Sequence, residues 1–214
     1  MKRAFFASLA AVLLVVLGAA SPSAEGVVTG LKAGLSIAKI TGSDAGEAGW
    51  RTAGALGAFL TYRVNDIFAV EPELLYVMKG AKTEGVDDFG SGPVAYKLTM
   101  KLDYVEMPLL AVVSVPTQVS VKPFVYAGPA LAFSISSTGQ VEVEKRSVER
   151  DLEGIKSMDL GIVAGAGFEY RFESGSILFD ARYDAGIVSI DDTVADEDVK
   201  NGAVSIMIGY GIAF

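Results

Sequence analysis

Two glutamates, Glu71 and Glu73, are the residues whose type and spacing come closest to acid–base chemistry. They stand two positions apart in an alternating run, so both side chains lie on the same side of a strand, and a pair of carboxylates can act as general acid and base. Lysines on the same face give the pair a simpler role in salt bridges. The chain has no His and no Cys, which excludes Ser-His-Asp catalysis, thiolate chemistry and Cys-based metal sites.

Two further motifs carry little chemistry. Gly165 and Gly167 lack the third glycine and the following helix of a nucleotide-binding fingerprint. The acidic residues Asp191, Asp192 and 196–198 have the ligand chemistry of a weak calcium site, but a solvated acidic loop is the simpler interpretation. We therefore expect no enzymatic activity, no cofactor and no resident metal.

The charge balance limits the partners. The chain of 214 residues has 26 Asp and Glu against 18 Lys and Arg, a formal net charge of −8. An acidic protein of this kind is a poor ligand for nucleic acid. Past the N-terminus, no uninterrupted apolar run reaches the roughly 20 residues of a membrane-spanning helix.

The N-terminus has the pattern of a secretory signal peptide, with basic residues in 1–3, an apolar run over 4–20 and small residues after it. Cleavage after Ala20 or Ser23 satisfies the small-residue rule better than cleavage after Ala24. We assign 1–24 to the signal peptide and 25–214 to the mature domain. The alternative is an uncleaved helix that anchors a soluble domain.

The C-terminal residues 202–214 alternate between large apolar and small side chains, which predicts a strand with one apolar face. A soluble protein seldom leaves such an edge exposed, whereas a sheet closed into a barrel in lipid has no edge. Seven more segments show two faces of this kind, so the chain is predicted to be all-β, with strands at 30–40, 51–63, 68–79, 96–113, 123–136, 157–170, 177–187 and 202–214.

Two strands carry irregularities. Pro72 predicts a bulge or a local break in pairing. Glu106 falls on the apolar face of its strand, so we place a β-bulge near 105–108 that shifts the phase by one residue and turns Glu106 inward.

The connections alternate in length, with short turns at 64–67, 114–122 and 171–176 and long polar loops at 41–50, 80–95, 137–156 and 188–201. Short turns on one rim and long loops on the other are typical of an eight-stranded, antiparallel, up-and-down transmembrane β-barrel with the short turns in the periplasm. Aromatic residues beside the short turns would form its periplasmic girdle: Tyr62, Phe68, Tyr170, Phe179 and Phe214.

The face opposite the apolar one carries charges of both signs, which we assign to the lumen. An eight-stranded barrel is only wide enough for side chains to fill, so these charges are predicted to pair into a plug, with a narrow ion or solute path as the alternative. The predicted lumen charge network is Lys32, Arg63, Glu71, Glu73, Lys79, Lys101, Asp103, Glu106, Asp159, Glu169, Asp180, Arg182 and Asp184.

The order of motifs resembles the PorT-like outer-membrane β-barrel family. It is carried by 30–34 (GLKAG), 71–76 (EPELLY), 79–80 (KG), 102–108 (LDYVEMP), 122–129 (KPFVYAGP), 159–167 (DLGIVAGAG), 180–183 (DARY) and the Gly-Tyr pair at 209–210. The resemblance implies a small porin-like barrel in a Gram-negative-type cell envelope. The resemblance implies that the name-giving member acts in protein secretion across the outer membrane, a role that fold alone does not carry over to this chain.

Two classes of function stay open at this point. The first is a monomeric structural or interaction module of the outer membrane, supporting secretion or envelope integrity, with lipid, the barrel-insertion machinery and a protein at the long loops as partners. The second is a carrier or narrow channel for small hydrophobic or ionic solutes, or a soluble exported ligand-binding barrel. The terminal residues Tyr210, Ile212 and Phe214 resemble the signal that the insertion machinery reads.

Overall fold

The computed structural model describes residues 26–45, 48–88, 92–143, 146–193 and 198–213. The predicted signal peptide and Phe214 lie outside these ranges. In the part that is described, no helix is long and apolar enough to span a membrane. The elements are nine strands: β1 Val27–Thr41, β2 Gly49–Arg63, β3 Phe68–Asp88, β4 Pro93–Ser114, β5 Val121–Val143, β6 Arg146–Asp151, β7 Met158–Phe172, β8 Gly175–Gly186 and β9 Lys200–Ala213.

Eight of the nine strands form a closed antiparallel ring. Neighbours in sequence pair from β1 to β5 and from β7 to β9, β5 pairs with β7, and β9 returns to pair with β1. The closing ladder runs from Val28 opposite Ala213 to Thr41 opposite Lys200. The strand β6 lies outside the ring and pairs with the far end of β5. The predicted all-β, eight-stranded barrel is therefore confirmed, with one additional strand.

Alternation decides which side chains face outward. On β1 and β9, large apolar residues such as Leu35 and Ile206 remain 57% and 58% exposed, while Lys32 and Ser205 between them are buried in the lumen. In a water-soluble protein this arrangement would be inverted. It is the arrangement of a barrel in lipid, where the outer face is apolar and the lumen is polar.

The longest strands change character along their length. From Leu102 to Val112 the even-numbered side chains of β4 all face inward, without a change of phase. From Met107 to Val113, towards the short turns, the outward residues are apolar, as lipid requires. From Asp103 back to Lys97, towards the long loops, the outward residues are polar and the inward ones are apolar, as in a sheet in water. The β-bulge predicted at 105–108 is therefore wrong, because the change of medium, and not a bulge, turns Glu106 inward.

The nearest irregularity lies on the neighbouring strand. Asp103 is opposite Ser136 and Tyr104 is opposite Ser134, so Ile135 is the extra residue of a bulge on β5. Pro72 causes no bulge, because the ladder has the same register at Phe59 opposite Glu73 and at Tyr62 opposite Val70. Between these two pairs, Leu60 does not pair with Pro72 and Thr61 does not pair with Glu71, so the predicted local break in pairing is confirmed.

The strands β3, β4 and β5 extend well past the ring. They contain 21, 22 and 23 residues, against 12 to 15 in the other ring strands. About 9–11 residues suffice to cross a bilayer. With β6, their upper parts form a four-stranded sheet beyond the ring, which we call the extension sheet (81–88, 93–101, 136–143 and 146–151). The polar loop predicted at 80–95 is therefore mostly a hairpin, and part of the polar loop predicted at 137–156 also forms strands.

Aromatic side chains gather at the end of the ring that has the short turns. The rings of Phe168 and Phe179 stack at 5.2 Å, and that of Phe172 lies 6.1 Å from that of Tyr210. At the opposite end, the Nζ atom of Lys39 lies 4.8 Å from the ring centre of the exposed Trp50. These aromatic residues lie where amphipathic rings would meet lipid headgroups.

Replacing Gly34 by valine is expected to destabilise the closing pair of strands. A Cβ atom at this position would lie 2.0 Å from the carbonyl oxygen of Ile206 and 2.8 Å from the Cα of Met207. The backbone of β9 would have to move, at a cost of roughly 2–3 kcal/mol or more. We expect less folded protein, measured as the fraction that keeps the mobility of the folded barrel on unheated detergent gels.

Gly54 supplies the matched control, because a Cβ there meets no atom within 4 Å. Gly54→Val should fold like the natural protein, within roughly 0.5 kcal/mol. Equal losses for the two valine variants would contradict the steric argument.

Candidate functional site

The middle of the lumen is occupied by one group of buried charges centred on Glu73. The guanidinium of Arg182 binds this carboxylate with two hydrogen bonds, Nη1 to Oε2 at 2.6 Å and Nη2 to Oε1 at 3.1 Å. The Nζ atom of Lys32 contacts Glu73 and lies 3.2 Å from Oε1 of Glu71. All four side chains are more than nine-tenths buried. Such an arrangement of charges is stable only because each charge has a partner.

Neutral groups complete this central charge group. The Tyr126 hydroxyl donates to Oδ1 of Asp180, which also accepts a hydrogen bond from Nε of Arg182 at 3.1 Å. The hydroxyl of Thr61 donates to Oε2 of Glu71. Five strands contribute to this one group, so it links the two sides of the barrel directly.

A second group lies nearer the long loops. Lys79 is 2.8 Å from Oε2 of Glu106 and contacts Asp184. The side-chain amide of Asn201 donates to Oδ2 of Asp159 at 2.7 Å and to the hydroxyl of Tyr104 at 3.1 Å. This upper group therefore has three carboxylates to one lysine.

A third group lies at the end with the short turns. Glu169 accepts from Arg63 Nη2 at 2.9 Å and from Arg171 Nε at 2.9 Å. The Nζ atom of Lys122 donates to the backbone carbonyl of Asp66 at 2.8 Å. Beside them is a cavity of about 30 Å³ lined by Arg63, Lys122 and Glu169, among others. This volume suits one or two water molecules.

Apolar packing fills the space between the charged groups. The ring of Phe59 is 1% exposed and lies against Gly30, where a Cβ would come within 2.6 Å of it. Nζ of Lys32 sits 4.9 Å from the centre of the same ring. Leu75 and Met207 pack together between the groups. A glycine at position 30 of β1 therefore leaves room for the ring of Phe59 from β2.

Most of the charges predicted for the lumen lie there, and two do not. Lys101 lies on the outer face of β4, 2.7 Å from Glu149 of the extension sheet. Asp103, on the same face, accepts a hydrogen bond from Tyr76 at 2.8 Å. Both assignments were wrong because they extended one alternation across the change of medium in β4. The structure places these in the lumen: Lys32, Arg63, Glu71, Glu73, Lys79, Glu106, Asp159, Glu169, Asp180, Arg182 and Asp184.

Sequence reasoning missed the neutral members of the site. Thr61, Tyr126 and Asn201 hydrogen-bond to buried carboxylates, and the hydroxyl of Tyr104 accepts a hydrogen bond from Asn201. In β5, Tyr126 lies on the face that otherwise carries small residues. A large polar residue on that face is the one sequence signal that could have indicated a role for Tyr126 in the lumen. For Asn201, which directly precedes the last predicted strand, the sequence offers none.

The acidic loops connect elements of the fold. The carboxylate of Asp44 accepts hydrogen bonds from the backbone N–H of Asp198 at 2.9 Å and from the hydroxyl of Ser43 at 2.8 Å. These bonds, the first above all, hold the pKa of Asp44 below its usual value. The described residues contain no group of three or more His, Cys, Asp or Glu side chains arranged for a metal ion. Of the suggested calcium ligands, 196–197 lie outside the described ranges.

Closed topology, an apolar outer face and a lumen of paired charges define an integral outer-membrane β-barrel protein. The chain belongs to the family described as outer membrane protein beta-barrel domain, whose model matches residues 20–192. The protein is thus located in the outer membrane, and the alternative of a soluble exported barrel is wrong. In the part of the chain that the structure describes, the geometry of the site identifies no particular ligand.

Solved structures of small outer-membrane proteins are similar to this chain. Ail, the attachment invasion locus protein of Yersinia pestis, has 14% identity over 88% of this chain and 99% of its own, with a TM-score of 0.44. Neisserial surface protein A has 17% identity over 88% and 97%, with a TM-score of 0.46. OprG from Pseudomonas aeruginosa has 15% identity over 89% and 97%, with a TM-score of 0.46. No curated protein matches the chain.

Proposed function

We propose that this protein is a non-catalytic structural and interaction module of the outer membrane, of the PorT-like type, with a role in secretion or envelope integrity. Its lumen is closed by its own side chains, and the extension sheet is the part that meets a partner. The observation that carries the proposal is the central charge group, in which Lys32 and Arg182 both bind Glu73 in mid-lumen. Charged side chains that are already paired with one another attract a passing solute only weakly.

The proposal includes a route to the membrane. Residues 1–24 act as a cleaved signal peptide, and the insertion machinery reads the last strand. Short turns face the periplasm in barrels of this kind, which puts the end with Glu169 in the periplasm and the extension sheet outside the cell. The protein then works as a monomer in lipid.

A second candidate function is a narrow path for ions or small solutes. The cavity of about 30 Å³ at the end with the short turns favours such a path, because the cationic side chains of Arg63 and Lys122 line it. The central charge group lies between it and the long loops. A path would therefore need that group to open.

Planar-bilayer recording separates the two candidates. We expect no steady conductance steps from the natural barrel, because the central charge group occupies the lumen. The double variant Glu73→Ala, Arg182→Ala removes both members of the bidentate pair together, which leaves no unpaired arginine, and should conduct. Steady steps from the natural barrel would contradict the plugged lumen and support a channel.

A further inference from the structure

The strand β6 (Arg146–Asp151) is the open edge of the extension sheet. One side of it pairs with β5, from Thr138 opposite Asp151 to Val143 opposite Arg146. Among the residues that the structure describes, none pairs with the other side, and all six side chains are exposed. The N–H and C=O groups along that side are available to a further strand.

The two faces of the extension sheet differ. One face continues the lumen and carries Val148, Val141 and Leu98 in a row across three strands, with exposures of 53%, 44% and 42%. Loop residues, Ile190 among them, cover only the lower part of this face, around Leu102. No described residue covers the upper row, which forms an apolar strip that ends at the open edge.

Charge gives this edge a pattern. Arg146 and Arg150 flank Val148 on the apolar face, because they stand opposite Val143 and Gly139. Ion pairs hold the lysines of the other face, Lys97 to Glu142 at 3.2 Å and Lys101 to Glu149 at 2.7 Å. Within the described part of the chain, neither arginine has an ion-pair partner. The edge thus presents cation, apolar residue and cation at alternate positions.

A second copy of this chain is a poor occupant of the edge. In the antiparallel register that sets Val148 opposite Val148, two β6 strands would have Arg146 opposite Arg150. Like charges in directly opposed positions destabilise a strand pair. The pattern favours a partner that carries carboxylates where this chain carries arginines.

We propose that β6 is a docking strand for an extended segment of a partner protein, which adds to the extension sheet as a further strand. The segment has an acidic residue, an apolar residue and an acidic residue at alternate positions, opposite Arg146, Val148 and Arg150. Main-chain hydrogen bonds supply the affinity, and the alternate side chains supply the choice of partner. This inference rests on the proposed interaction role and specifies its surface and its ligand.

Two synthetic peptides test the proposal with the full barrel in detergent micelles. One has the sequence Ser-Glu-Thr-Val-Thr-Glu-Ser, and the other has lysine in place of both glutamates. We expect the acidic peptide to bind at least about tenfold more tightly, since two cross-strand pairs change from attraction to repulsion. The double variant Arg146→Glu, Arg150→Glu should reverse this preference. Both positions are exposed and outside the ring, so the variant should fold like the natural protein.

Two controls make the outcome specific. The variant Lys82→Glu, Lys97→Glu makes the same change in net charge on the other face, and should leave the peptide preference as it is. An acidic peptide methylated at alternate backbone nitrogens cannot pair as a strand and should not bind. Equal binding of the methylated peptide, or the same loss in both double variants, would overturn the docking strand. Failure of the acidic peptide to bind would also overturn the docking strand. In that case a natural barrel that does not conduct would still support the proposed function of a plugged module.

Discussion

Replacing Lys32 by methionine is expected to lower the free energy of unfolding of the barrel by about 3–5 kcal/mol. Methionine keeps most of the side-chain volume but removes the cation that binds Glu73 and Glu71 and lies 3.9 Å from Asp180. Glu71 would then lose its ion-pair partner, and Glu73 and Asp180 would share Arg182. The loss can be measured by urea unfolding in lipid vesicles, with the fluorescence of Trp50, the single tryptophan, as the signal.

Lys101→Met is the matched control. It removes the same group from an ion pair with Glu149, but the two side chains are 30% and 49% exposed, on the outer face above the ring. Exposed pairs contribute about 0–1 kcal/mol. A similar loss for both variants would contradict the view that the lumen charges act as one buried group.

Replacing both Tyr210 and Phe214 by aspartate is expected to stop assembly of the barrel, while export across the inner membrane continues. Tyr210 lies on the outer face of β9, near Phe172, and Phe214 directly follows that strand. Both residues belong to the terminal pattern that resembles the signal of the insertion machinery. We expect loss of the signal peptide, seen by mass spectrometry as cleavage after Ala20 or Ser23, without recovery in the outer membrane.

The neighbouring strand offers a control of equal chemistry. Phe179 and Tyr183 are also aromatic, four residues apart and exposed on the outer face, at 39% and 47%. Phe179→Asp with Tyr183→Asp should lower stability, but assembly should continue at a reduced yield, because the residues of the predicted assembly signal, Tyr210, Ile212 and Phe214, are intact. An equal block in both double variants would mean that lipid-facing charge, and not a terminal signal, prevents assembly.

Alternation in the sequence predicted the eight ring strands because their lipid and lumen faces differ at every second residue. The same alternation also predicted individual residues that the structure has in the lumen, such as Lys32, Glu73 and Arg182. The same rule failed at Lys101 and Asp103, because it carries no information about where a strand leaves the bilayer. In the part of a strand beyond the bilayer, the inward side chains are apolar and the outward ones are polar, which is the reverse of the pattern within the bilayer.

Other elements could not be predicted for different reasons. The segment Arg146–Asp151 contains one large apolar residue, Val148, so it shows no alternation; backbone pairing with β5 makes it a strand. Asn201 and Tyr126 act through single hydrogen bonds to Asp159 and Asp180. Such contacts depend on how the ring closes, which the order of residues along one strand does not reveal.

The length of β5 determines the height of the open edge above the membrane. Phe133 is the last residue of β5 that pairs within the ring, opposite Met158, and the strand continues to Val143. Ten residues at about 3.3 Å each, tilted as barrel strands are, rise roughly 25 Å. The headgroup layer occupies only about 5–8 Å on each side of a bilayer. A partner can therefore reach β6 from the surrounding water without touching lipid, whereas one anchored in the same membrane would need a stalk of comparable height.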